Sequence, residues 1–482
     1  MRWGHTFSVV GILLVFCGLA MALPMLVGLY YQDQSIIPLA KGMGITLLVG
    51  AMVYLAAPTK KQETLSHREG MAIVALGWAA VGVAGALPFY FSSSFLGFTD
   101  AVFESVSGFT TTGSSVLSDI EGVSKGLLMW RSMIQWLGGM GIIVLSVAIL
   151  PFLGVGGMQL YKAEVPTPVP DKLKPRIRDT AVILWQVYAL FTVLEAVLLF
   201  VGGMSVFDAV CHAFTTMPTG GFSTLNTSVG QYHSPYFEWV IIFFMIVAGI
   251  NFSLHFQLLR GKPMALWKDP ECRFFLGLVL VLVAVITLDI HGKVFSSLNE
   301  SIRASAFQVS SIITTTGYAT ADYELWPALS QLLIMFCMVV GASAGSTGGG
   351  IKCLRVMLLF KYCYRELFRM IHPRAVIPVK LGGRVVPEEV LHSVCAFFVL
   401  YMGLFAISAL GLAAMGVDLV TSMAAVAATI GNIGPGIGGV GPMDNFANIP
   451  LAGKWLLVWC MLLGRLEIYT VIILFVPEFW RK

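Results

Sequence analysis

Four short segments of this chain end in threonine, asparagine and glycine in a pattern suited to one kind of chemistry, the stripping of water from a small monovalent cation. They read TDAVFESVSGFTTTGSS, FDAVCHAFTTMPTGGFST, SAFQVSSIITTTGYAT and DLVTSMAAVAATIGNIGPG. A dehydrated cation needs several oxygens in place of its water shell, and backbone carbonyls supply them without fixed negative charge. Aiming successive carbonyls at one axis demands backbone angles that glycine, lacking Cβ, adopts readily. The candidate ligands are therefore Thr111, Thr112 and Gly113; Thr219, Gly220 and Gly221; Thr315, Thr316 and Gly317; and Asn432, Ile433 and Gly434. One TTTG alone is a common helix end. In the second segment the adjacent Gly220 and Gly221 compete for the place held elsewhere by a single glycine.

The elements around these segments carry the inference. Aligned on the last glycine, the copies lie 108, 96 and 117 residues apart, each between two long apolar runs. Of the 482 residues, 57% are hydrophobic and only 12% charged. That is about half the charge of a soluble domain, which excludes a water-soluble enzyme or binding domain. Runs long enough to span about 30 Å of hydrocarbon fall near 7–30, 40–57, 70–92, 127–153, 180–203, 236–260, 273–291, 325–342 continuing to 360, 391–415 and 452–476. The stretches 99–113, 207–221, 299–317 and 418–434 are too short to cross and read as re-entrant helices followed by loops, because irregular backbone at membrane depth persists only where it lines a cavity. The expected fold is an all-α polytopic membrane protein: two N-terminal helices (1–66) and four repeats of span, short helix, loop and span around one pore. The repeats cover 67–160, 161–262, 263–371 and 372–482.

Loops on one side hold 23 Lys and Arg, while the other side holds six with 13 acidic residues. Basic loops face the cytoplasm, so both termini are expected there, with an acidic outer mouth that concentrates cations. The first run has a short basic lead and an Ala20-Met21-Ala22 triplet, but it extends past the triplet to Leu29, longer than a usual signal core. The eight cysteines show no CxxC and are expected as buried apolar thiols. Trp130, Trp136, Trp455 and Trp480 read as interfacial anchors.

Two further features sit inside spans. The glycine-rich run 341–350 cannot hold a helix, since each glycine costs about 1 kcal/mol against alanine. Tight helix packing by small residues is one alternative. A nucleophile elbow at GASAG lacks its strand, and GSTGGGIK lacks the order of a phosphate loop, so no nucleotide is expected on this chain. An unwound loop beside the permeation path fits best. Arg465, deep in the last span, is a functional-site candidate by its depth alone, with a buried structural salt bridge as the alternative. Asn251 and His255, one turn apart, read mainly as packing residues, and Glu195 as a partner for another repeat.

Together FESVSGFTTTG (103–113), QWLGGMGIIVL (135–145), TGGFST (219–224), GASAGSTGGGIK (341–352), HPRAV (372–376), GNIGPG (431–436) and GRLEIYT (464–470) resemble the TrkH-type membrane subunits of the Trk/Ktr/HKT potassium-transport superfamily over essentially the whole chain. The resemblance implies potassium uptake across a bacterial inner membrane through a K+-binding filter whose glycines map to Gly113, Gly221, Gly317 and Gly434. It also implies a gate at the intramembrane loop, here Gly345, Ser346, Thr347, Gly348, Gly349 and Gly350, with Arg465 beside it. A homodimer and a cytosolic nucleotide-binding regulator of the TrkA type complete the implied assembly, with the lipid bilayer as surroundings and no nucleic acid. Coupled Na+ or H+ symport is the competing function. An intramembrane enzyme would have only Ser343 as its nucleophile.

Overall fold

The computed structural model describes residues 3–57, 67–148 and 173–480. Helices dominate. The N-terminal pair is α1 (Trp3–Ala20) running on through α2 (Ala22–Tyr31), followed by α3 (Ile36–Ala56). Close contact of α1 with α3 relies on small residues: a Cβ on Gly11 would lie 2.9 Å from the Gly50 carbonyl oxygen, the tight approach typical of helices in lipid.

The first repeat comprises α4 (His67–Gly85), α5 (Leu87–Tyr90), the short α6 (Phe98–Phe109) and α7 (Lys125–Ala148). The end of its second run, 149–153, lies outside the described residues. The second repeat has α8 (Leu173–Val201), α9 (Val206–Thr216), α10 (Pro235–Gly249) and α11 (Phe252–Leu259). After α12 (Met264–Lys268), the third has α13 (Pro270–Ile290), α14 (Leu298–Ile313), α15 (Ala328–Val340) and, beyond the glycine-rich loop, α16 (Cys353–Ile371). A two-stranded ribbon of β1 (Lys380–Leu381) and β2 (Arg384–Val385) leads to the fourth: α17 (Glu388–Ala414), α18 (Leu419–Ile430), α19 (Leu451–Arg465) and α20 (Tyr469–Ile472). In α17 only 22% of the most apolar window is buried. So much outward apolar surface on a long helix requires lipid, and the protein is an all-α polytopic membrane protein.

The short helices α6, α9, α14 and α18 hold 12, 11, 16 and 12 residues. At 1.5 Å per residue they reach about 16–24 Å, short of the hydrocarbon core. Two of them start on a side-chain cap, with Ser205 accepting from the Asp208 amide at 3.0 Å and Asp418 from the Thr421 amide at 3.0 Å.

Two expected spans are not continuous. The run 236–260 bends by 104° between α10 and α11, and 452–476 bends by 111° between α19 and the helical turns of Tyr469–Phe475. Hydropathy is blind to such breaks because apolar composition continues through them. At the first bend the Asn251 side chain caps α11, accepting from the Ser253 amide at 2.8 Å, while His255 Nε2 bonds the Val247 carbonyl at 2.8 Å. At the second, Glu467 and Ile468 adopt positive φ of 60° and 49°. Two tryptophans also depart from expectation. Trp130 is fully buried, donating to the Gly85 carbonyl at 3.0 Å, and Trp136 stacks on Tyr188 and Phe214. Both are packing residues, whereas Trp455 and Trp480 are exposed. Six of the eight cysteines are buried, Cys363 is exposed and Cys395 lies between.

Candidate functional site

The four short helices end alike. In each, the amide two residues before the terminal glycine bonds back three residues: Thr111 to the Gly108 carbonyl, Thr219 to Thr216, Thr315 to Ile312 and Asn432 to Thr429. The next amide reaches back five, to Ser107, Thr215, Ser311 and Ala428, each at 2.8 Å. This is the Schellman closure of a helix, normally made with glycine in the left-handed position. Here that position holds Thr111, Thr219, Thr315 and Asn432, with φ of 52°, 57°, 62° and 54°. Left-handed threonine is a steric outlier, and such strain clusters at functional sites. Three strained threonines at one repeat position mark the site.

Two residues on, Gly113, Gly221, Gly317 and Gly434 take positive φ of 84°, 75°, 85° and 107°. A Cβ on Gly113 would collide with the Gly220 carbonyl oxygen, one on Gly221 with that of Thr316, and one on Gly317 with that of Ile433. One on Gly434 would lie 3.0 Å from the Thr112 carbonyl oxygen. Each glycine thus abuts the carbonyl that precedes the glycine of the next repeat, and the order 1, 2, 3, 4, 1 closes a ring. The competition in the second segment is settled by backbone geometry, because Gly221 carries the positive φ. Gly220 is needed for a different reason: its Cβ would strike the Gln135 side-chain amide. The ring residues with polar side chains, Thr111, Thr112, Thr219, Thr315, Thr316 and Asn432, are fully buried.

The glycine-rich loop packs against this ring. Thr347 Oγ1 donates to the Met217 carbonyl at 2.9 Å, the Gly349 amide to Thr315 Oγ1 at 2.7 Å, and the Gly350 amide to the Gly431 carbonyl at 3.0 Å. The loop therefore touches the helix ends of repeats 2, 3 and 4. It also mends the broken α10–α11 span, since its Gly345 carbonyl accepts the free Phe252 amide at 3.1 Å. Arg465 donates from Nη1 to the Thr347 carbonyl at 2.7 Å, while its Nε and Nη2 have no hydrogen-bond partner among the described residues. Arg465, Glu467, Lys352 and Gly348, Gly349 and Gly350 line one small cavity. Glu467 pairs instead with Arg355 and, at 3.7 Å, Lys352, and among the described residues Arg465 forms no salt bridge. Glu195 is buried, and neither carboxylate oxygen is hydrogen-bonded among the described residues.

Two groups at the site escaped the sequence reading. Glu271 Oε1, from α13, accepts the Ala344 amide at 2.6 Å and the Leu354 amide at 3.1 Å, stapling the neck of the loop and capping α16 from outside. Gln135, inside a noticed motif but without an assigned role, bonds both the Gly220 carbonyl and the Phe222 amide. Only the third dimension brings either to its partner.

Fourfold repetition within one membrane-embedded chain, closed into a glycine–carbonyl ring with a broken helix against it, defines a class of ion-translocating proteins. The family described as TrkH, cation transport protein, matches residues 38–482, and the chain belongs to it. It is a family of transporters, not enzymes. The Trk system potassium uptake protein TrkH of Escherichia coli (strain K12) is 45% identical, with 98% of each chain covered. TrkG of the same strain is 38% identical, covering 98% of this chain and 97% of its own. The crystal structure of the potassium transporter TrkH from Vibrio parahaemolyticus superposes with a TM-score of 0.92 at 39% identity, covering both chains fully.

Proposed function

We propose that this chain carries potassium into the cell by channel-like permeation through the ring, and the cyclic glycine–carbonyl contact is the observation that carries the reading. Four backbone carbonyls around one centre replace a monovalent ion's water without charging the site, and the residues from Thr111–Gly113, Thr219–Gly221, Thr315–Gly317 and Asn432–Gly434 are the proposed K+ ligands. The helix C-termini aimed at the ring favour a cation there. Glycine at all four ring positions matches the potassium-selective pattern, and the relatives are named potassium uptake proteins. The same reading takes the repeats as 67–160, 161–262, 263–371 and 372–482.

The loop at Gly345–Gly350 with Arg465 is the proposed gate, held closed by its hydrogen bonds to three repeats, with a buried guanidinium, in no salt bridge among the described residues, that repels cations. Cytoplasmic termini in a bacterial inner membrane, a second copy of the chain, and a TrkA-type nucleotide-binding regulator belong to the same reading. The term "Trk system" in the relatives' names supports assembly with other components. The deciding experiment is the reversal potential of the purified chain in proteoliposomes. It should follow the K+ gradient alone, and a shift with pH or Na+ would establish coupled symport instead.

A further inference from the structure

The four loops of the ring are not braced alike. In loops 1 and 3 a serine six residues before the glycine donates to the carbonyl one residue after it: Ser107 to Ser114 and Ser311 to Tyr318, both at 2.6 Å. Loop 2 has Thr215 at that place, and its hydroxyl is taken up by the Cys211 carbonyl at 3.0 Å and the Tyr318 hydroxyl. Loop 2 is instead gripped from the neighbouring repeat. Gln135 on α7 donates from Nε2 to the Gly220 carbonyl at 2.7 Å and accepts from the Phe222 amide at 3.1 Å. Arg131, one turn earlier on the same face, donates from Nη1 to the Ser223 carbonyl at 2.8 Å. Its guanidinium lies 3.7 Å from the Phe222 ring centre and is aimed by Glu104, whose Oε1 accepts from Nε at 2.6 Å.

We infer that Gln135 and Arg131 are specificity-determining positioning residues: as a two-point clamp they set the direction of the Gly220 carbonyl and so the preference for K+ over Na+. The inference rests on reading the ring as the K+ filter. Gly220 O is the ring oxygen that Gly113 abuts, so a clamp on it acts on the ring itself. Glycine at 220, where the other loops have Thr112, Thr316 and Ile433, leaves room for the Gln135 amide. A site held to a few tenths of an ångström needs such second contacts on rigid elements, and α7 is a 24-residue helix. Arg131 and Glu104 are buried, which keeps the clamp's charge out of competing solvent.

The test uses the full chain in planar bilayers with K+ on one side and Na+ on the other. Gln135→Met keeps the volume and removes both hydrogen bonds; Arg131→Lys keeps a charge beside Glu104 and loses the fork that reaches Ser223. The K+/Na+ permeability ratio should fall at least fivefold in the first and two- to fivefold in the second, while K+ current persists. Glu238→Gln, which removes the Arg303–Glu238 pair (3.0 Å) at the start of α10, should change thermal stability without moving the ratio. Folded, conducting variants whose ratio stays within twofold of the parent overturn the clamp. Should Gln135→Met fail to fold, Arg131→Lys alone decides on the same criterion. A parent chain with no preference for K+ sinks the filter reading, whereas a selective parent with unchanged variants sinks only the clamp.

Discussion

At the scale of single residues, positive φ does most of the explaining. Gly113 has φ of 84° and sits against a neighbouring carbonyl, so Gly113→Ser adds both backbone strain and a clash. We expect its K+/Na+ permeability ratio to drop about tenfold, a loss of about 1.4 kcal/mol in discrimination, read from bi-ionic reversal potentials. Arg465→Ala removes the buried charge that bonds the Thr347 carbonyl of the glycine-rich loop and should raise basal K+ flux severalfold in vesicles without regulator. Unchanged flux would remove Arg465 from the gate. The four loop segments and Arg465 were legible in the sequence because repetition and depth are one-dimensional signals. Gln135 was not, because its partners stand 85 and 87 residues away, and the choice between Gly220 and Gly221 needed dihedral angles.

At the scale of elements, the breaks matter more than the spans. Apolar runs predicted where helices lie, yet two of them fold back by more than 100°, since composition does not record where a hydrogen-bond ladder is cut. A hint existed at the first: Gly249 followed by Asn251, a glycine and a capping residue inside an apolar run. The staple from Glu271 joins α13, the loop and α16 in one contact. Glu271→Leu fills the same space and leaves the Ala344 and Leu354 amides without their acceptor, a cost of about 1–3 kcal/mol per buried group. We expect single-channel open probability to rise with conductance and K+/Na+ ratio unchanged. A fall in the ratio would place Glu271 with the filter and not with the loop.

At the scale of the whole molecule, the proposed K+ site in the ring would couple ion binding to folding. Exchanging Na+ for K+ at constant ionic strength should raise the thermal unfolding midpoint of the detergent-solubilised chain, since a ligand at 100 times its dissociation constant adds about 2.7 kcal/mol. Gly113→Ser should erase the difference. Because one polypeptide supplies all four quadrants, a codon change alters a single quadrant, whereas in a homotetramer it would alter every one. Each quadrant also leans on its neighbours: Ser114 donates to the Gly434 carbonyl at 2.9 Å and Asn432 to Thr112 Oγ1 at 2.9 Å, so the first and fourth are knotted as the first and second are. Damage in the first quadrant therefore spreads to both neighbours, and second-site suppressors of such damage belong in the second and fourth quadrants, not the third across the axis.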